Sequence, residues 1–547
     1  MCHLLLLLGL AVTVALGEEP ATAGARAPTS VWSVSLRGPF SIFSDAVPSF
    51  PDCPLESALT YEIVGSADLL SKEDLASLNA KGPWGVTVGV DNSYAGTYGP
   101  SISVASAVAA VKPFVPLGIQ FNCEVKPDDI VAAHDALPGC KHLSFWKRDG
   151  LGAGVLQRIC DFRALESLDA KLDTLSDNDI RALGGMSSLR ALCLNLPDQG
   201  FDAENLYRSL ASLQELKYLS LTGSSLDKGV GALLAKLRSL DTIRLYKVRD
   251  SDSLLAPTFA NCTAKRVFIG EAEGGKQSAF KFTGEEKTVE ELTISGIGVT
   301  DDLIESLAKL PRLSLLSFIG SDLPIGLPHL PKQIRSLSIN RASIPAKWFD
   351  AIADLKQLEA LCLALDKPCL QDFCSAELPL GLTSLRITAQ THVTEIPSDV
   401  ISKVASLPKL SNLSLRFFVC RLSPDLFDPL ASLTALKDLD VGCEWMKLPV
   451  LSRLPNLERF SALEACSVDA TALDALANHK ALRTLTLGLD SVPDGFWDAL
   501  AKMPALEKVE IHAPLPQAEL DAKRAGLHAA NPRLKFIGFY SSPMPPK

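Results

Sequence analysis

The sequence has few aromatic residues and no excess of positive charge. Phe, Trp and Tyr make up 6% of its 547 residues, so a buried core must be built mainly from aliphatic side chains. Lys and Arg number 53 against 63 Asp and Glu, which gives a net charge of −10. A protein that binds phosphate backbones needs a basic face to release counterions. The charge balance therefore argues against a general nucleic-acid binder, and we expect no nucleic-acid partner.

The sequence also lacks the short motifs that mark catalytic and cofactor sites. It contains no GxSxG, no HExxH, no phosphate-binding loop ending in GKS or GKT, and no calcium-binding loop. It has no CxxC pair, and the group Cys362, Cys369 and Cys374 has no fourth zinc ligand near it in sequence. We therefore expect a protein that is not an enzyme, with no catalytic residues, no cofactor and no metal.

The longest uncharged apolar run lies at the amino terminus. Residues 4–16 are shorter than the roughly 20 residues that a membrane-spanning helix needs. Small residues then precede Glu18, as at a signal-peptide cleavage site. This layout predicts a signal peptide over 1–17, a linker over 18–29, and a secreted, extracellular or cell-envelope protein without a membrane span. The alternatives are an apolar anchor and an intracellular adaptor.

A motif of the form L-x-x-L-x-L recurs along most of the chain, with Ile, Val, Phe or Ala at some of its apolar positions. Successive copies begin 21 to 28 residues apart, as subtraction of their first positions shows. Alternation within L-x-L places two aliphatic side chains on one face of a short strand. The first positions of the copies are Leu165, Leu189, Leu216, Leu240, Ala264, Val289, Leu313, Ile334, Leu358, Leu382, Leu410, Leu436, Leu457, Leu482, Leu506 and Leu534.

This array resembles the leucine-rich-repeat family, whose signature is the same strand motif at a period of about 20–29 residues. The resemblance implies an α/β solenoid shaped as a curved horseshoe. Its parallel sheet would line the concave side, and its helices would lie on the convex side. No single coil can bury its apolar side alone, so stacking of neighbouring coils completes the core. We assign the solenoid to residues 141–540 and a Pro-rich tail to 541–547.

The second half of many repeats has the pattern of a helix. In residues 300–310 the leucines recur with helical spacing, Thr300 or Asp301 is a natural N-cap, and Pro311 ends the helix. The same pattern predicts helices at 469–477, 494–501 and 517–530. The ninth motif position lacks the asparagine that often links coils in this family. Helical second halves without that asparagine resemble the ribonuclease-inhibitor-like and cysteine-containing subclasses.

Residues 30–140 contain weaker copies of the motif. These segments predict degenerate amino-terminal repeats, and a separate small α/β cap is the alternative. The predicted copies are Val31-Val34-Leu36, Ala58-Tyr61-Ile63, Pro83-Val86-Val88, Phe114-Leu117-Ile119 and Cys140-Leu143-Phe145.

The third, fifth and seventh motif positions point away from the core and align across neighbouring coils. In three successive copies they carry aromatic residues and arginines, the types enriched in interface hot spots. We predict a partner-binding patch made of Tyr218, Arg244, Tyr246, Arg266 and Phe268. Ordinary sheet-surface composition is the alternative, because aromatic residues favour strands anyway.

A second row of outward positions is more polar and mixed in sign, which is typical of a solvated face or a rim. It consists of Arg386, Asn412, Arg416, Asp438 and Asp440.

Three cysteines lie 23 residues apart near the ends of successive strands, namely Cys420, Cys443 and Cys466. Stacked coils can bring two of them within disulfide distance, so a disulfide within this group is predicted.

The resemblance implies an exported, non-enzymatic recognition scaffold that binds a protein partner on its concave sheet. One alternative is an inhibitor or a receptor-like ectodomain that acts on an extracellular enzyme or ligand. Another is an enzyme with an unrecognised amino-terminal domain. The sequence does not determine the oligomeric state.

Overall fold

The computed structural model divides into two compact units, Met1–Gly296 (unit 1) and Ile297–Lys547 (unit 2), each described by itself. Residues 1–32, with the predicted signal peptide and linker, and the tail after residue 541 lie outside the described residues. The structure describes residues 33–36, 59–64, 84–89, 118–121, 125–145, 150–223, 229–247, 262–270, 281–284, 286–341, 343–389, 396–421, 426–444, 451, 453–466, 468, 470–534 and 536–541.

Unit 1 is built on a mainly parallel sheet in which each coil contributes one strand. From β2 to β11 the strands pair in parallel in chain order. The described strands are β1 (Ser33–Leu36), β2 (Leu59–Val64), β3 (Trp84–Gly89), β4 (Gly118–Phe121), β5 (His142–Phe145), β6 (Ser167–Lys171), β7 (Ala191–Asn195), β8 (Tyr218–Thr222), β9 (Thr242–Tyr246), β10 (Arg266–Gly270) and β11 (Glu291–Ser295).

Unit 2 repeats this arrangement, and its strands also pair in parallel in chain order. They are β12 (Leu315–Ile319), β13 (Ser336–Asn340), β14 (Ala360–Leu365), β15 (Ser384–Ala389), β16 (Asn412–Arg421), β17 (Asp438–Glu444), β18 (Arg459–Cys466), β19 (Thr484–Leu489), β20 (Lys508–Ala513) and β21 (Phe536–Ser541).

Helices fill the second half of many coils. In unit 1 the described helices are α1 (Pro127–Ala136), α2 (Val155–Ile159), α3 (Asp177–Gly184), α4 (Ala203–Leu210) and α5 (Gly229–Leu234). In unit 2 they are α6 (Asp301–Leu307), α7 (Lys347–Ala353), α8 (Lys367–Ser375), α9 (Ser398–Ala405), a 3₁₀ helix (Asp428–Ser432), α10 (Ala470–Ala477), α11 (Phe496–Lys502) and α12 (Gln517–Ala530).

The coil around α6 shows how the local sequence produces this fold. The Thr300 hydroxyl accepts a hydrogen bond from the Leu303 amide at 3.2 Å, so Thr300 is the N-cap, one of the two predicted residues. On the apolar face of the helix Leu303 and Leu307 are fully buried. The apolar motif residues Leu313 and Leu316 are buried as well. Strand and helix therefore share one aliphatic interior, and the α/β leucine-rich-repeat solenoid is confirmed as the fold.

Hydroxyl groups connect coils that lack the asparagine of the family. The residue directly before the motif reaches back to the first motif residue of the preceding coil. The Ser188 hydroxyl donates to the carbonyl of Leu165 at 2.8 Å, and the Thr263 hydroxyl donates to that of Leu240 at 3.1 Å. These bonds satisfy backbone acceptors and connect each coil to the one before it.

Two of the weak amino-terminal copies differ from the prediction. Ile119 pairs with Leu143, which holds position four, so the copy predicted to begin at Phe114 begins two residues later. β1 runs antiparallel to β2 and to the end of β3, so the segment predicted from Val31 is not a further parallel coil. β2, β3 and β4 continue the parallel sheet towards β5.

The predicted helices near the carboxyl terminus are confirmed as α10, α11 and α12, and α12 packs against β21. Among the described residues, no helix combines the length and the hydropathy that crossing a membrane requires.

Candidate functional site

The five residues of the predicted patch lie together on three neighbouring strands of unit 1. Tyr218 and Arg266 occupy the third position of β8 and β10, and Tyr246 occupies the seventh position of β9. Arg244 and Phe268 occupy the fifth position and are direct register partners across β9 and β10. We call the side of the sheet that carries these positions the open face, and these five residues the aromatic–arginine cluster.

Arg244 is the centre of the cluster. Its Nη2 donates to the Tyr246 hydroxyl at 2.8 Å, and its Nη1 donates to the Tyr218 hydroxyl at 3.4 Å. Its Cζ lies 4.8 Å from the centroid of the Phe268 ring and 5.5 Å from that of Tyr246. Both distances are within the range of cation–π attraction. The guanidinium is thus held by two hydroxyls and two aromatic rings.

The two aromatic rings beside Arg244 pack on each other. The centroids of Tyr246 and Phe268 are 4.5 Å apart, with a tilt of 35° between the ring planes. Burial raises the pKa of the Tyr246 phenol, and Arg244 partly opposes that rise. Burial by itself lowers the pKa of the Arg244 guanidinium. The phenols of Tyr218 and Tyr246 outweigh this effect and leave that pKa raised, so the arginine stays charged.

Arg266 continues the cluster towards the amino-terminal ends of the strands. It forms an ion pair with Asp241, which occupies motif position two before β9. Glu291 is its register partner on β11. Burial raises the pKa of the Glu291 carboxyl, while Arg266 acts to lower it. Arg266 thus lies between two acidic side chains, and this end of the cluster is held by ionic contacts.

Most of the cluster is buried, although its residues lie at motif positions that point away from the core. Tyr218, Arg244 and Phe268 are 9%, 8% and 3% exposed, because they pack against one another on the open face. Tyr246 and Arg266 retain intermediate exposure. Any partner would therefore contact mainly these two side chains. Arg244 and Phe268 hold Tyr246 in place, and Asp241 holds Arg266. Side chains fixed in this way lose little entropy on binding.

A polar groove lies next to the cluster, at the carboxyl ends of β6 to β9. Its volume is about 420 Å³, and its lining includes Lys171, Asn195 and Lys247. Lys247 follows Tyr246 directly, is exposed, and has a φ of 55°. Residues with a side chain rarely adopt this left-handed conformation, and such residues concentrate at functional sites.

Residues of the second predicted row form polar contacts with one another and with their neighbours. The Arg416 Nε lies 3.0 Å from Asp440 Oδ2, and Asp438 pairs with Arg459. Asn412 donates to the neighbouring Ser411 hydroxyl at 3.1 Å. Partly exposed polar pairs of this kind are compatible with both interpretations of the row, a solvated face and a rim.

The cysteines whose side chains are described are thiols and not members of a disulfide. Burial raises the pKa of Cys140 to about 12 and that of Cys262 to about 11, so these thiols stay protonated. Cys420, Cys443 and Cys466 lie on β16, β17 and β18, but their side chains are outside the described part of the chain. Their disulfide stays a prediction. Within the described residues, no three His, Cys, Asp or Glu side chains converge as a metal site would require.

Sequence reasoning missed a ladder of ion pairs at motif position two, along the amino-terminal edge of each sheet. In unit 1 Glu166 lies 2.7 Å from the Lys141 ammonium and 3.7 Å from the Arg190 guanidinium. In unit 2 the ammonium of Lys437 lies 3.2 Å from the carboxylate of Glu458. The signal was available, since the sign of the charge at position two alternates over much of the repeat array.

No family model and no curated protein matches the chain. Among solved structures, the chain is similar to a TLR13–ssRNA13 complex at 17% identity and a TM-score of 0.49. That match covers 78% of this chain and 59% of that one. It is also similar to Toll in a Drosophila Toll–Spatzle complex, at 14% identity and a TM-score of 0.29, covering 78% of this chain and 55% of that one. A leucine-rich-repeat protein of Leptospira interrogans is 15% identical with a TM-score of 0.29, and that match covers 78% of this chain and 91% of that one.

At these identities and TM-scores the similarities give no information about what this chain binds. The chain spans about 59% and 55% of the first two proteins, so the functions of those proteins do not transfer to it. The fold follows from the chain itself, through one parallel strand per repeat and an aliphatic interior shared between coils. The architecture is an α/β leucine-rich-repeat solenoid.

Proposed function

We propose that this protein is a non-enzymatic recognition scaffold that binds a protein partner on the open face of unit 1. The aromatic–arginine cluster is the proposed contact surface. One observation carries the proposal: Tyr218, Tyr246 and Phe268 pack around Arg244, and Arg266 lies on the same face of β10. These five residues of interface-favoured types come from 51 residues of sequence, from 218 to 268. Tyrosine, phenylalanine and arginine bring large contact area and forked hydrogen bonds.

The proposed contact has a rigid base and two partly exposed side chains. Tyr246 is partly exposed and Arg244 fixes its hydroxyl, and Arg266 is partly exposed and Asp241 fixes its guanidinium. The groove that Lys247 lines extends the surface beyond Tyr246. Such a surface suits a partner that offers hydrogen-bond acceptors next to an apolar group.

The test is to isolate the partner from the native extracellular medium on the immobilised chain, and to measure its affinity for variants. Tyr246→Ala should weaken binding about tenfold or more, as expected for an interface hot spot. Arg386→Ala is the control, because Arg386 is also at an outward motif position, the fifth, but on β15 of unit 2. Equal affinity of Tyr246→Ala and wild type would refute the proposed surface.

We also propose that the chain is exported, on the basis of the apolar segment at 4–16 and the small residues before Glu18. Sequencing of the secreted protein should then give Glu18 as its first residue. A mature protein that retains Met1 and stays inside the cell would refute export and favour an intracellular adaptor.

The helical second halves and the absence of the ninth-position asparagine support a place near the ribonuclease-inhibitor-like and cysteine-containing subclasses. Within the proposed role, an inhibitor and a receptor-like ectodomain are the two forms that recognition would take. Inhibition of the activity of the isolated partner by the purified chain would favour the inhibitor.

A further inference from the structure

Gly270 occupies the seventh position of β10, beside the ring of Tyr246. A Cβ at Gly270 would lie 2.7 Å from Tyr246 Cδ1 and 2.9 Å from Tyr246 Cε1. It would also lie 3.0 Å from Phe268 Cε1. Two of these separations are below 3.0 Å, which is closer than two non-bonded carbon atoms can approach. Even a methyl group would therefore displace an aromatic ring.

The ring of Tyr246 has little freedom to give way. On one side its hydroxyl receives the 2.8 Å hydrogen bond from Arg244, and on the other its ring packs on Phe268. Movement of the ring away from a methyl group would lengthen that hydrogen bond or open the ring pair. The missing side chain at Gly270 is therefore what allows Tyr246, Phe268 and Arg244 to pack together.

We propose that Gly270 is a positioning residue of the aromatic–arginine cluster. It has no side chain to offer a partner, and it acts by letting Tyr246 lie against Phe268 with its hydroxyl on Arg244. The role in recognition rests on the proposed function, but the positioning itself can be tested without any partner.

Gly442 provides a matched control. It occupies the same seventh position on β17 in unit 2. The three atoms nearest to a Cβ there all belong to Arg416, and the closest, Cγ, would be 3.4 Å away, which is an ordinary contact. Gly442→Ala therefore makes the same chemical change at the same point of a coil without displacing a ring.

The first measurement is ¹⁹F NMR of the full chain labelled with fluorotyrosine. The sequence has seven tyrosines, and the signal that disappears in Tyr246→Phe is that of Tyr246. Gly270→Ala should shift the Tyr246 signal and Gly442→Ala should leave it in place. An unchanged Tyr246 signal in folded Gly270→Ala would overturn the proposal.

The second measurement is a double-mutant cycle on the melting temperature, Tm, which can be measured even in a variant that disrupts the packing of Tyr246 on Phe268. Gly270→Ala should lower the Tm of the wild type, and most of that loss should vanish in the Tyr246→Ala background, where no ring blocks the methyl group. An equal loss in both backgrounds would show that Gly270 acts through something other than Tyr246.

Binding then separates the two proposals. If Gly270→Ala moves Tyr246 and weakens partner binding about as much as Tyr246→Ala does, both are supported. If it moves Tyr246 and leaves binding unchanged, the positioning role holds and the proposed binding surface is refuted.

Discussion

A buried histidine makes the stability of unit 2 dependent on pH. His479 is 6% exposed and bridges two successive coils. Its Nδ1 accepts a hydrogen bond from the Leu482 amide at 3.2 Å, so its Nε2 must carry the proton that bonds the Leu454 carbonyl at 3.0 Å. Burial lowers its pKa, and the bond to the Leu454 carbonyl only partly opposes this. The neutral imidazole is therefore the form that makes both hydrogen bonds.

The sign of the effect follows from the lowered pKa. The unfolded chain binds a proton at His479 near the ordinary pKa, whereas the folded chain resists protonation until a lower pH. The stabilising contribution of the neutral ring is therefore complete above about pH 6.5, and it is lost as the pH falls towards the folded pKa. Each pH unit within this window removes at most about 1.4 kcal/mol. The loss of the bond from the Leu482 amide, which protonation of Nδ1 blocks, is part of this amount.

Another coil of the chain shows which residue without a titrating group can replace His479. Asn531 occupies the equivalent position two coils later, three residues before the motif. Its Nδ2 donates to the carbonyl of Met503 at 3.3 Å, and its Oδ1 accepts from the Arg533 amide at 3.3 Å. An asparagine therefore makes the equivalent bond to the preceding coil, although it accepts from the second residue after it and His479 from the third. His479→Asn should fold.

The assay is amide hydrogen exchange at Leu482, corrected for intrinsic rates, between pH 5 and pH 8. Wild-type protection should fall on acidification, while His479→Asn should stay nearly constant. His528→Asn is the control, because His528 is exposed on α12, and it should behave as wild type. The same pH profile in wild type and His479→Asn would refute the reasoning.

Three further predictions follow from other contacts. Trp348 is fully buried and its indole N–H bonds a carbonyl, so Trp348→Phe should lower the free energy of unfolding in urea by about 1–3 kcal/mol; no change would contradict that bond. Exchange of Lys437 and Glu458 for each other should change stability by less than about 1 kcal/mol, since both are partly exposed; a larger loss that persists in high salt would show another role. Peptide mapping of non-reduced protein should find two of Cys420, Cys443 and Cys466 linked to each other, and labelling of all three as free thiols would exclude the disulfide.

The repeat period was sufficient to predict the fold, because each motif contributes a strand and buries the same apolar positions. The direction and exact register of the weak copies could not be predicted. A slip of two residues keeps the same side chains facing inward. Alternation alone therefore could not show whether the motif begins at Phe114 or at Pro116. Alternation is also the same in parallel and antiparallel strands, which is why the direction of β1 was missed.

The cluster was predictable as a set of positions and not as a packed group. Position three, five or seven places a side chain on the open face, and the period aligns neighbouring strands. Whether Arg244 is exposed or buried depends on the size of the side chains on both flanking strands. The absence of a side chain at Gly270 matters as much as the rings of Tyr246 and Phe268. Packing of this kind is a property of neighbours in space, which the motif does not specify.

The most direct test of the central claim is hydroxyl-radical footprinting of the chain with and without its isolated partner. If the open face of unit 1 is the binding surface, the partner should reduce the oxidation of Tyr246, which is partly exposed. The oxidation of Trp497 on α11, which is also partly exposed, should stay unchanged. Undiminished oxidation of Tyr246 in a saturated complex would contradict it.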